Sequence, residues 1–206
     1  MVVPTRSDKD KLAKKKIILD NAIAVFLDKG YEETRISEIV KRSGIAQGTF
    51  YLYYSSKEEV FIAAAERFFS KLLGELEGVL ETETALVEKL ENTIDRMTFF
   101  VQKNKELMTL LHSPVASSIL SRQDISEQLD GKVKELIGKI AAQIDEGIKK
   151  GEVRNCQPEI TAFILFSAVH EVLETATITF PSEIIEHVVN ELKGFLKAAL
   201  LPHGNA

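Results

Sequence analysis

Between Gln47 and Lys57 the chain sets an amide, alternating hydroxyls and an ammonium at Gln47, Thr49, Tyr51, Tyr53 and Lys57. Ala46 and Gly48 lie among them. A glutamine amide can bond an adenine edge through two hydrogen bonds at once. Neutral hydroxyls donate to phosphate oxygens, which fixes register without reading sequence. A lysine in the first turn of a helix opposes the helix dipole, yet it suits a phosphate brought to that positive end. Glycine inside a helix costs about 1 kcal/mol relative to alanine, so Gly48 is easier to explain if another molecule approaches closely. Lys41 and Arg42 serve either the dipole at the end of their own helix or a phosphate. Together these types point to recognition of nucleic acid. No P-loop, nucleotide fingerprint or nucleophile elbow is present, and no convergent catalytic set marks an enzyme.

The elements that must position these residues are helical. Leu12, Leu19, Ile23 and Phe26 recur at helical spacing from Lys9 onward, and Gly30 is a stop signal. Residues 1–8 read as a disordered tail. A short helix is expected over Ile36–Ser43, started near Thr34. Gly44 then supplies the turn, Ile45 a buried plug, and a third short helix runs from Ala46 to about Tyr51–Tyr53. Phe50 and Tyr54 read as core of this small head. Ser56 with Glu59, or Ser55 with Glu58, offers a capping box for a long helix from Lys57 toward Leu80. Further helices are expected over Thr84–Asn104, Lys105–Leu111, Asp124–Lys150, Pro158–Phe180 and Pro181–Leu200. The fold class is all-α: a three-helix helix-turn-helix head over residues 9–56 and a larger helical body over 57–206.

Charge follows the same division. The 206-residue chain has net charge −5, but residues 1–57 carry +4 and the remainder −9. That asymmetry fits a head that meets a polyanion and a body that does not. A single cysteine, Cys156, excludes an internal disulfide and a cysteine-only zinc site. No apolar run of about 18 residues and no signal peptide is read, so a cytoplasmic location without a membrane partner is expected.

The stretch "TRISEIVKRSGIAQGTFYLYYSSKEEVF" resembles the DNA-binding region of TetR-family transcriptional regulators. Thr34, Ile39, Gly44, Gly48, Thr49, Tyr51, Tyr53, Lys57 and Glu58 stand in matching places, and "AVFLDKGYEET" is similar to the end of the family's first helix. Val40, Ser43, Ile45, Ala46 and Tyr54 depart from the usual pattern; Tyr54 replaces a phenylalanine. With the resemblance, the DNA-facing set is Thr34, Arg35, Lys41, Arg42, Ala46, Gln47, Gly48, Thr49, Tyr51, Tyr53 and Lys57. The resemblance implies a homodimer through the last two helices. Its two recognition helices would sit roughly 34 Å apart on a palindromic double-stranded operator. It also implies a repressor released by a small-molecule effector. Activation, or an architectural DNA-binding protein without an effector, are the alternatives.

The body carries fewer signals. Phe99, Met108, His112, Phe163, Phe166, His170 and Glu174 are the expected effector-contacting residues, and their apolar character suits an apolar effector. Core packing accounts for the same spacing. "HEVLE" at His170–Glu174 opens like a zinc-protease motif but has glutamate in place of the second histidine, so neither a metal site nor a cofactor is expected.

Overall fold

The computed structural model describes residues 6–202, apart from the side chains of residues 6, 7, 123, 124, 126, 128 and 129. The described residues form ten helices and no strand. Their order is α1 (Arg6–Glu33), α2 (Ile36–Ser43), α3 (Gln47–Tyr51), α4 (Lys57–Leu80), α5 (Leu86–Lys103), α6 (Lys105–Leu111), α7 (Pro114–Leu120), α8 (Gln123–Lys150), α9 (Pro158–Thr179) and α10 (Ser182–Leu200). The all-α expectation is therefore met.

Of the expected tail, residues 1–5 lie outside the described residues, and Arg6–Asp8 already belong to α1. The chain divides into two compact units. One comprises residues 1–68 with 106–126, and the other residues 69–105 with 127–206. The helix α4 contributes to both, so the compact units do not divide at residue 57.

In the first unit, Gly30 stops the regular run of α1, as its stop signal predicts. It breaks the helix at φ 79° and ψ 167°, and one further turn continues to Glu33. The left-handed region costs glycine little, which is why the kink falls there. Phe61 then packs edge to face against both Phe26 and Tyr31, at 5.4 and 4.8 Å between ring centres. Ile18, Ile39 and Phe50 complete a fully buried core.

At the end of α2, Gly44 adopts φ 66°, and its N–H donates to the Lys41 carbonyl at 3.2 Å. The Ile45 N–H donates to Val40 at 3.3 Å. This pair of bonds satisfies the last carbonyls of α2 and sets the turn. Ile45 is only half-buried, so it plugs the turn less completely than its pattern suggests.

The α4 start signal is shared between two serines. Ser56 Oγ accepts from the Glu59 N–H at 3.0 Å, while the Glu59 carboxylate accepts from the N–H and hydroxyl of Ser55, both at 2.6 Å. Those bonds hold the Glu59 carboxyl below its ordinary range. Glu58 is instead ion-paired with Arg122, which follows α7.

The second unit packs α5, α9 and α10 against one another. Lys193 and Lys197 of α10 pair with Asp95 (2.5 Å) and Glu91 (2.9 Å) of α5. Leu76, Ile94, Leu136, Ile144 and Leu173 fill its core.

Candidate nucleic-acid interface and effector cavity

The short helix α3 has two faces. Phe50 is wholly buried on one. Gln47, Gly48, Tyr51 and Leu52 are exposed on the other, at the i, i+1, i+4 and i+5 spacing of a single helical stripe. Ala46 precedes it, exposed, as an N-cap without a side-chain cap. Thr49 and Tyr53 are half-buried at the edges of the stripe.

Gly48 gains nothing from the fold. Its φ is not in the left-handed region, and a Cβ built there meets no atom within 4 Å. Packing and backbone geometry both accept alanine at this position.

The cations of α2 are displayed beside this stripe's helix. Lys41 and Arg42 are exposed in the last turn. Arg35 is exposed at the N-cap, where its N–H donates to Glu38 at 3.1 Å. Glu38 is also bonded to Lys29, which together with the Arg35 N–H holds its carboxyl below the ordinary range.

Two of the expected DNA-facing residues are occupied inside the head. Thr34 is 2% exposed, and its hydroxyl donates to the Gly30 carbonyl at 2.7 Å. It closes the kink of α1 and has no side chain to present. Lys57 donates through Nζ to the carbonyls of Tyr31 (2.8 Å) and Glu32 (2.9 Å) and lies 4.5 Å from the centre of the Tyr31 ring. α1 ends at Glu33, so both carbonyls lie in its last turn, where a cation satisfies them; the Tyr31 carbonyl also accepts from the Thr34 N–H at 3.3 Å. Leu52 is the converse case. It is 80% exposed and absent from the expected set, although its place four residues after Gly48 is visible in the sequence.

The expected effector residues separate. Met108 and His112 belong to the first unit: Met108 is buried, and the exposed His112 ring has Nδ1 2.8 Å from the Met108 carbonyl oxygen. Phe99 and Phe163 are more than half exposed, and neither lines the cavity formed by Phe166 and His170. Phe166 and His170 do come together. They stack at 5.9 Å and line a cavity of about 140 Å³. Its other walls are Phe69, Leu72, Leu73 and Leu76 of α4, with Met97 and Val133. His170 Nε2 lies 3.3 Å from the carboxylate of Glu174, which is buried. The cavity is therefore apolar apart from its histidine, and at about 140 Å³ it is smaller than the roughly 300–1,000 Å³ of ordinary ligand sites. Sequence spacing finds the pair on α9 but not the α4 wall.

A model of bacterial regulatory proteins of the tetR family matches residues 18–64. Over 197 residues the chain is 30% identical to the HTH-type transcriptional regulator YvdT of Bacillus subtilis (strain 168), covering 93% of this chain and 97% of that one. It is 27% identical to the fatty acid metabolism regulator protein of the same organism, covering 81% and 85%. The transcriptional regulator FadR from Bacillus subtilis, solved in complex with stearoyl-CoA, shares the fold with a TM-score of 0.71 at 20% identity, over 88% of this chain and 96% of that one. A TetR transcription regulator from Haloarcula marismortui does so with a TM-score of 0.76 at 17% identity, over 91% and 98%.

Proposed function

The chain belongs to the tetR family of bacterial regulatory proteins, and from that premise we propose that it is a cytoplasmic repressor that leaves its operator when a fatty-acyl effector binds. The observation that carries the DNA reading is the exposed stripe Gln47–Gly48–Tyr51–Leu52, where an open glycine sits beside a base-reading amide. Arg35, Lys41, Arg42, Thr49 and Tyr53 flank it as phosphate contacts.

A palindromic operator calls for two such stripes. The helices α9 and α10 expose Ile160, Phe163, Ile164, Ile184 and Phe195, a concentration of large apolar side chains that a soluble chain covers with a partner. The 22-residue α9 is apolar enough by composition to cross a bilayer, and only a third of that window is buried. A second copy of the same two helices is the occupant that gives the two-fold symmetry of the operator.

The effector class rests on the cavity between α4, α5, α8 and α9 and on two relatives. One is named for fatty acid metabolism, and the other was solved with stearoyl-CoA. The apolar walls suit the end of an acyl chain, the cavity of about 140 Å³ widening to take the rest, and His170, held by Glu174, offers a polar contact. The ligand acts by preferring the spacing of heads that does not fit DNA.

Selection of bound fragments from the source genome, followed by titration of saturated acyl-CoAs of increasing chain length, tests the reading. Release of a selected palindrome, with a rise in thermal stability at the same ligand concentrations, is expected. Stabilisation without release would leave a ligand-binding DNA protein that is not switched by it. Neither effect at any chain length would sink the effector assignment. On the operator, Gln47→Ala should relax preference at one position by about 1–3 kcal/mol.

A further inference from the structure

We propose that Leu52 reads a thymine methyl group in the operator, and that it is a specificity-determining residue of the stripe on α3. The inference rests on the DNA-facing reading of that stripe. Among the exposed large apolar residues described, Leu52 is the most exposed, at 80%, with Leu12 next at 63%. A leucine this open has no packing role in the head, because Phe50 and Tyr54 supply the apolar anchors on the buried side.

Its backbone is nevertheless fixed. Leu52 has φ −73° and ψ −16°, so it continues the helical phase of α3, and its N–H donates to the Thr49 carbonyl at 3.3 Å. The side chain therefore leaves the helix on the same side as Gly48, one turn earlier, where no Cβ stands in the way. The glycine opens the space and the leucine presents an apolar surface beside it.

The chemistry of the groove selects the target. A leucine has no hydrogen-bonding group, so it cannot distinguish the donors and acceptors on a base edge. The thymine C5-methyl is the one apolar feature that the major groove displays, and contact with it separates thymine from the other three bases. Gln47, five residues earlier at the other edge of the stripe, reads hydrogen-bonding atoms. Leu52 complements it by reading the methyl.

Thymine and uracil differ only by that methyl. Each thymine of a selected operator is replaced in turn by deoxyuridine, and binding of the full-length dimer is measured for the natural protein, Leu52→Ala and Gln47→Ala. The natural protein is expected to lose about fourfold in affinity per half-site at one thymine, the transfer free energy of a single buried carbon. Leu52→Ala is expected to bind thymine and uracil operators alike at that position, while retaining the discrimination that Gln47 provides. Equal tolerance of uracil everywhere by the natural protein overturns the proposal, as does an unchanged uracil penalty in Leu52→Ala. If Gln47→Ala also leaves every base preference intact, the stripe itself does not face DNA, and the reading beneath the proposal fails with it.

Discussion

Lys57 and Tyr31 are joined twice: the ammonium lies over the Tyr31 ring at 4.5 Å and donates to the Tyr31 carbonyl at 2.8 Å. A second bond reaches Glu32. This places Lys57 as the clamp between the kinked end of α1 and the first turn of α4. Lys57→Met should therefore lower stability by about 1–3 kcal/mol, the worth of hydrogen bonds from a charged donor. The salt dependence of operator binding should not change. Chemical denaturation and a salt titration check both. Normal stability with a salt slope reduced by about one would return Lys57 to the phosphates.

Gly48 separates folding from binding more cleanly. Since a Cβ there meets nothing within 4 Å, Gly48→Ala should raise the stability of the head by up to about 1 kcal/mol through helix propensity. Operator affinity should fall, because the methyl stands where DNA must approach. A melt and a binding isotherm on one preparation decide it. Unchanged affinity in the stabilised variant would remove Gly48 from the interface.

The short-range features were legible in the sequence because their causes are local. The spacing predicts helices over Ile36–Ser43 and Lys105–Leu111 and both form, since helical spacing and a glycine stop act within a turn or two. The pair of His170 and Glu174 follows from i,i+4 spacing alone. The helix α7 was not expected, although Ser113 caps it by accepting from Ala116 at 3.3 Å and Pro114 opens it. Seven residues give too little periodicity to register. The clamp of Lys57 was illegible for a different reason. Its partners lie 25 and 26 residues upstream, in the last turn of α1, and no local spacing brings them to the first turn of α4. Likewise, the α4 wall of the cavity is a product of packing: Phe69, Leu72, Leu73 and Leu76 read as any helix core until α5, α8 and α9 close around them.

Phe163 tests the proposed seam between copies. It is 58% exposed on α9, so glutamate there should cost the isolated chain little. In a dimer the same change places one buried charge on each side of the two-fold axis. Phe163→Glu is expected to shift the protein to monomer in sedimentation at micromolar concentration and to abolish cooperative operator binding. A dimer that survives the substitution would move the interface away from this face.

Tyr54 carries a buried group at odds with its surroundings. The residue is 2% exposed, and its hydroxyl finds no hydrogen-bond partner among the described residues. Burial pushes its pKa up to about 12 from an ordinary value near 10. Tyr54→Phe removes the unsatisfied hydroxyl and keeps the ring, so stability at pH 7 should rise by about 1 kcal/mol. The raised pKa fixes the sign at high pH. The neutral phenol's contribution is fully present below about pH 10 and is lost as pH climbs toward 12, because the unfolded chain ionises first. Over that window the natural protein should lose stability relative to the variant at up to about 1.4 kcal/mol per pH unit. The phenol of Tyr31, also raised by burial, is common to both proteins and cancels in the difference. Denaturation curves at pH 7, 10 and 11 measure the gap. A destabilised Phe variant at pH 7 would mean that the hydroxyl is bonded, and a gap constant with pH would mean that the phenol is not held neutral by burial.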